Sequence, residues 1–129
     1  MQVTNSGGFA AREGADGETL FFSHKEQGSL WMMPVAGGSP QRLVEDLAPS
    51  DWGNWDVTHD ALYFVRYKDG IPVVMRYDLA DQSTEQVGSL PNAPRRDRVS
   101  LSIAPDGKTL VFAQTDLVRF DLTVAKLAH

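Results

Sequence analysis

Ile103-Ala104-Pro105-Asp106-Gly107-Lys108-Thr109-Leu110-Val111-Phe112 is the stretch that decides the fold. An Asp-Gly pair tolerates the positive φ of a tight turn, and the apolar run beyond it is too short for a helix but suits a strand. The segment predicts a strand, a turn and a second strand.

The same arrangement occurs twice more along the chain. Ala15-Asp16-Gly17-Glu18-Thr19-Leu20-Phe21-Phe22-Ser23 and Thr58-His59-Asp60-Ala61-Leu62-Tyr63-Phe64-Val65 repeat it, so that Leu20, Leu62 and Leu110 correspond at spacings of 42 and 48 residues. A second pattern comes next in each repeat: Leu30-Trp31-Met32-Met33-Pro34-Val35, Val74-Met75-Arg76-Tyr77-Asp78-Leu79 and Leu117-Val118-Arg119-Phe120-Asp121-Leu122. Large apolar residues stand two apart there, which is strand periodicity.

Turn residues then intervene, Ala36-Gly37-Gly38-Ser39 and Ala80-Asp81-Gln82-Ser83, before polar, edge-like strands at 40–44 and 84–88. Ahead of each repeat lies an innermost strand, at 8–13, 51–58 and 99–104. Each repeat thus reads as four short antiparallel strands, and units of about 40 to 45 residues with that content are the period of propeller blades. Gly or Pro interrupts nearly every longer apolar window, so no helix competes.

These residues resemble the TolB-like β-propeller repeat family, which is related to WD repeats and carries a Ser-Pro-Asp-Gly-Lys-type turn before an apolar strand. Pro105-Asp106-Gly107-Lys108 is the nearest match, whereas Thr58-His59-Asp60-Ala61 departs from it. More narrowly, residues 7–13 and 51–55 are similar to segments in the propeller part of bacterial winged-helix regulators and receptor-like kinases. The resemblance implies an all-β fold of three four-stranded β-propeller blades, at about 8–46, 50–90 and 98–129, forming one unit over 1–129 and half of a six-bladed propeller.

Three blades cannot close a ring, because each end blade would leave an apolar face uncovered. Two copies related by a two-fold axis would supply six, which makes a homodimer the expected partner. The segment Gln2-Val3-Thr4 resembles the outer strand Gln41-Arg42-Leu43-Val44, and strand 2–5 is expected to complete the third blade of that partner. Two alternatives stand beside this: the chain is cut from a longer propeller, or Lys126-Leu127-Ala128 supplies the last strand locally.

Charge narrows the function classes. Twelve Lys and Arg against 17 Asp and Glu give a net charge of −5, which disfavours a nucleic-acid backbone as partner. With no cysteine there is no disulfide, no thiolate zinc site and no cysteine nucleophile. No apolar run approaches the roughly 18 residues of a membrane span, so no membrane association is expected. The first residues also lack a charged segment leading into an apolar one, which gives the expectation of a soluble chain. It would be cytoplasmic as written, and periplasmic if cut from an exported parent.

Chemistry-bearing residues are sparse. His24, His59 and His129 show no metal-ligand spacing, and no Gly-x-Ser-x-Gly elbow is present. Glu13, Asp51 and Asp56 are the carboxylates nearest a central channel by strand order, and loop solvation accounts for them better than acid–base catalysis does. The expectation is no enzyme, no metal and no cofactor. Candidate partner-binding residues are the basic cluster Arg95, Arg96 and Arg98, which suits a carboxylate or phosphate, and Trp52 and Trp55 near the channel mouth. The competing accounts are a solvated loop for the arginines and inter-blade packing for the tryptophans, Trp31 included.

The function expected is a non-catalytic scaffold for protein or peptide binding that assembles into a closed ring. A purely structural or engineered half-propeller without a natural ligand, and a small-ligand or ion sensor using the channel, are the alternatives.

Overall fold

The computed structural model describes residues 9–24, 27–45, 47, 53–90, 101–115 and 120–126. They form three antiparallel sheets, and no helix occurs among them. The first sheet holds β1 (Phe9–Glu13), β2 (Thr19–His24), β3 (Gln27–Pro34) and β4 (Gln41–Val44) in sequence order. The second holds β5 (Trp55–Val57), β6 (Ala61–Lys68), β7 (Ile71–Asp78) and β8 (Thr84–Ser89), again in order. The third has three strands, β9 (Leu101–Ile103), β10 (Thr109–Thr115) and β11 (Phe120–Lys126), with β10 in the middle.

Turn chemistry explains the hairpins. Gly17 and Gly107 both sit at positive φ, 70° and 72°, as the two Asp-Gly turns require. Gly14 N–H donates to Thr19 O at 2.7 Å and Ala104 N–H to Thr109 O at 2.8 Å, so the two five-residue connections close alike. Asp16 Oδ1 accepts from the backbone N–H of Glu18 and Thr19, and Asp106 Oδ1 from that of Lys108. The second repeat lacks this sequence and uses a shorter connection. Thr58 N–H donates to Ala61 O at 2.9 Å, and its hydroxyl donates to Asp60 Oδ1 at 2.9 Å. Asp69 and Gly70, both at positive φ, join β6 to β7 directly.

Period-two alternation then sorts each sheet into a leading side, toward the next sheet in the chain, and a trailing side, toward the preceding one. On β6, Leu62 and Phe64 trail into one core with Phe21, Leu30 and Met32 of the first sheet. Ala61, Tyr63 and Val65 lead into a second core with Leu101, Ile103 and Leu110 of the third. The middle sheet is therefore buried on both sides, as stacked sheets of a propeller require. Burying Phe64 fully contributes on the order of 2–3 kcal/mol.

Three sequence-based expectations are corrected. The innermost strand of the second repeat starts at Trp55, since Gly53 and Asn54 lie in the preceding turn and Thr58 comes after the strand. In the third repeat the strand expected at 117–122 runs instead from Phe120 to Lys126, with Phe120 opposite Thr115 and Lys126 opposite Thr109. The reason lies in the residues just beyond the Arg-aromatic-Asp pattern. After Asp78 come Ala80-Asp81-Gln82-Ser83, and Asp78 Oδ1 accepts from Ala80 and Asp81 N–H to make a turn. After Asp121 come Leu122-Thr123-Val124-Ala125, with β-branched residues and no turn former, so the strand continues. Consequently Lys126 belongs to a third strand and does not begin a fourth. Two sheets are four-stranded, and the third has three strands among the described residues, short of the three complete blades expected.

Candidate functional site

The inner strands β1, β5 and β9 line one edge of the stack, and Asp56 stands at their meeting point. Its Oδ1 accepts from Arg12 Nε of β1 at 3.0 Å and from Val57 N–H at 2.8 Å. Its Oδ2 accepts from Ile103 N–H of β9 at 3.0 Å. One carboxylate thus ties three sheets together, and its oxygens are spent on fixed donors instead of being offered to a substrate. This carboxylate, expected from sequence to be a solvated loop residue, has a structural role that no local motif encodes.

Trp55 stands beside it but presents no surface to a partner. It is 1% exposed, its indole N–H donates to Ser23 Oγ at 2.8 Å across the seam, and the Arg12 guanidinium lies 5.9 Å from its ring centroid. The structure therefore corrects its assignment as a partner-binding residue: Trp55 is an inter-sheet core residue, the competing account given for it. Trp52, Arg95, Arg96 and Arg98 lie outside the described residues, as do Gln2, Val3 and Thr4.

The two seams differ at the end that carries the β1–β2 turn. Between the first and second sheets, Phe21, Met32 and Leu79 floor a cleft of about 280 Å³ rimmed by Asp16, Thr58 and His59. Backbone N–H of Glu18 holds the Asp16 carboxyl below its ordinary range against the opposing effect of desolvation, with Thr19 adding further bonds. Between the second and third sheets the equivalent pair is Tyr63 and Arg76, by register with Phe21 and Met32. Arg76 Nε donates to Tyr63 Oη at 3.2 Å, and its two terminal nitrogens reach Asp78 at 3.1 Å and Asp60 at 3.3 Å. Burial pushes the Tyr63 phenol up, so it stays neutral as the acceptor of that bond. The N–H groups of Asp81 and then Ala80, with Arg76 adding, hold Asp78 below the ordinary carboxylate range.

Among the described residues no group of three or more His, Asp or Glu gathers as a metal site would require. His59 is exposed, with Asp60 3.9 Å away. No helix among them is long and apolar enough to cross a membrane.

No family model and no curated protein sequence matches the chain. Among solved structures, the crystal structure of TolB from Acinetobacter baumannii superposes with a TM-score of 0.53 at 12% identity, over 85% of this chain. The fold is TolB-like. At that identity the likeness is one of fold alone, and the chain spans about 28% of the length of that structure. The TolB-like reading of the repeats agrees in architecture with the stacked sheets, and assigns no chemistry to any side chain here.

Proposed function

We propose that the chain is a non-catalytic β-propeller scaffold that binds protein or peptide and closes its ring by self-association, three blades from each of two copies. The observation that carries this is the contrast between the middle sheet, buried on both sides, and the first sheet, whose Leu20, Phe22, Trp31 and Met33 belong to neither core cluster of the described residues. Sheets stacked in this way are stable when a neighbouring sheet covers each apolar side. The TolB-like fold supports the scaffold class, since such stacked sheets give a rigid frame whose loops and edges meet partners.

In this reading the third sheet gains a fourth strand from outside. β11 is its edge strand, and residues Gln2, Val3 and Thr4 of the partner copy would pair along it, removing an open edge. Non-catalytic character is supported by Asp56, whose carboxylate is engaged by three N–H donors, and by the Arg76 cluster, in which one cation already neutralises two acids.

Size-exclusion chromatography with light scattering tests the assembly. The expected mass is twice the 14.2 kDa of one chain. A stable monomer at micromolar concentration would overturn ring closure, and a dimer that persists unchanged after deletion of residues 1–5 would overturn the strand exchange.

A further inference from the structure

We propose that Asp69 is a site of spontaneous main-chain modification, closing on Gly70 to a succinimide and reopening as isoaspartate, while the two other Asp-Gly pairs of the fold are protected by their turns.

The chemistry needs two free groups side by side. The Gly70 nitrogen attacks Cγ of the protonated Asp69 carboxyl. A C–N bond forms, and the nitrogen's proton and the carboxyl's hydroxyl leave together as one water. One water then adds to the five-membered ring and cleaves either C–N bond. Cleavage at Cγ restores Asp69, and cleavage at the α-carbonyl leaves the main chain running through Cβ and Cγ. Nothing is oxidised or reduced, and the final mass is unchanged. Glycine in the second position favours the step, because no Cβ crowds the attacking nitrogen. The chain holds three such pairs, Asp16-Gly17, Asp69-Gly70 and Asp106-Gly107, which this rule ranks alike.

The turns separate them at the nucleophile. Gly17 N–H donates to Gly14 O at 3.0 Å, and Gly107 N–H donates to Ala104 O at 2.8 Å. Between β6 and β7 the last pair of the ladder is Lys68 with Ile71, so that Asp69 and Gly70 alone make the turn, at φ 52° and 78°. A two-residue hairpin turn with both φ positive is closed by its flanking pair. The Gly70 N–H accordingly has no backbone acceptor among the described residues.

They differ at the electrophile as well. Asp16 Oδ1 accepts from Glu18 and Thr19 N–H and its Oδ2 from the Thr19 hydroxyl, while Asp106 Oδ1 accepts from Lys108 N–H. These bonds aim each carboxyl at N–H groups beyond its own glycine. At Asp16 they also favour the ionised form, which a nitrogen attacks least readily. Asp69 carries no side-chain hydrogen bond or ion pair among the described residues.

Solvent and space complete the contrast. Asp69 and Gly70 are exposed, and a Cβ built at Gly70 would meet no atom within 4 Å, so the ring and the incoming water have room. Gly107 is buried. The extra main-chain carbon of isoaspartate falls at the tip of the hairpin, which leaves the Val65–Val74 pair in its core.

Peptide mapping by liquid chromatography and mass spectrometry, after incubating the folded chain in warm, mildly acidic buffer, tests this. The peptide containing residues 69–70 should split into two species of equal mass, the new one resistant to a protease that cleaves before aspartate. Conversion there should outpace that at Asp16 and Asp106 by about tenfold or more, the factor by which two ordinary hydrogen bonds lower the population of an open turn. In urea the three rates should converge. Equal rates in the folded chain, or a lead by Asp16 or Asp106, would overturn the proposal, as would an Asp69 that stays unconverted while the unfolded chain converts. A lead of Asp69 that is undiminished in urea would assign the ranking to neighbouring residues and remove the turn from it. Asp69→Asn, a residue suited to positive φ, reads the same geometry through loss of ammonia, and its folded form should change mass. Persistence of that variant intact, under conditions in which its unfolded form deamidates, would equally overturn the assignment.

Discussion

The seam between the first and second sheets and the seam between the second and third are made by the same strands in the same register, yet they are filled differently. At the first, Phe21 and Met32 leave a cleft, and the polar links are the bond from Trp55 to Ser23 and the Arg12–Asp56 pair. At the second, Tyr63 and Arg76 occupy the equivalent positions, and the guanidinium carries bonds to a phenol and two carboxylates. Propeller-like stacking therefore specifies where side chains meet but leaves open whether apolar volume or a polar network fills the space.

The largest effect is expected from removing volume where the first seam depends on it. Phe64→Ala should destabilise the fold by about 3–5 kcal/mol, read as a lower urea midpoint with an unchanged slope. A loss under 1 kcal/mol, roughly the range of a surface substitution, would mean that this seam is not held by its core.

Arg76→Met makes the second seam chemically like the first. It removes the Arg76 bond to the Tyr63 hydroxyl and takes the shared cation from two acids, for an expected loss of about 1–3 kcal/mol by urea denaturation. No loss would show that apolar filling serves both seams equally.

The smallest effect is one of pH. The folded-state carboxyl of Asp78 is held below its unfolded value, so its contribution is present above the ordinary carboxylate range and is lost as pH falls through the depressed value. Between about pH 5 and about pH 3 the urea midpoint should fall more for wild type than for Asp78→Asn, which keeps an acceptor for the turn but cannot titrate. Equal slopes would remove Asp78 from the pH response.

Turns and alternation made the sheets legible, because Asp-Gly at 16–17 and 106–107 and the apolar pairs two apart act over a few residues. The positive-φ pair Asp69-Gly70 carried the same kind of signal for the β6–β7 hairpin. What escaped depends on distance or on a negative. Nothing near Asp56 in the chain announces Arg12 or Ile103, and nothing near Trp55 announces Ser23, so a carboxylate looked solvated and an indole looked available. The register of β11 escaped because repeat analogy carried a turn past Asp121, where the residues that would make one are missing.

The two oxygens of Asp56 reach in opposite directions along the chain, Oδ1 back 44 positions to Arg12 and Oδ2 forward 47 to Ile103. The carboxylate thereby works as a gauge of strand register between repeats. A gain or loss of residues absorbed within a loop leaves both arms satisfied and passes unnoticed. A one-residue slip of β9 would bring Ser102 to the side where Leu101 and Ile103 now pack, and the mismatch would register at the Asp56 oxygen that now accepts from Ile103.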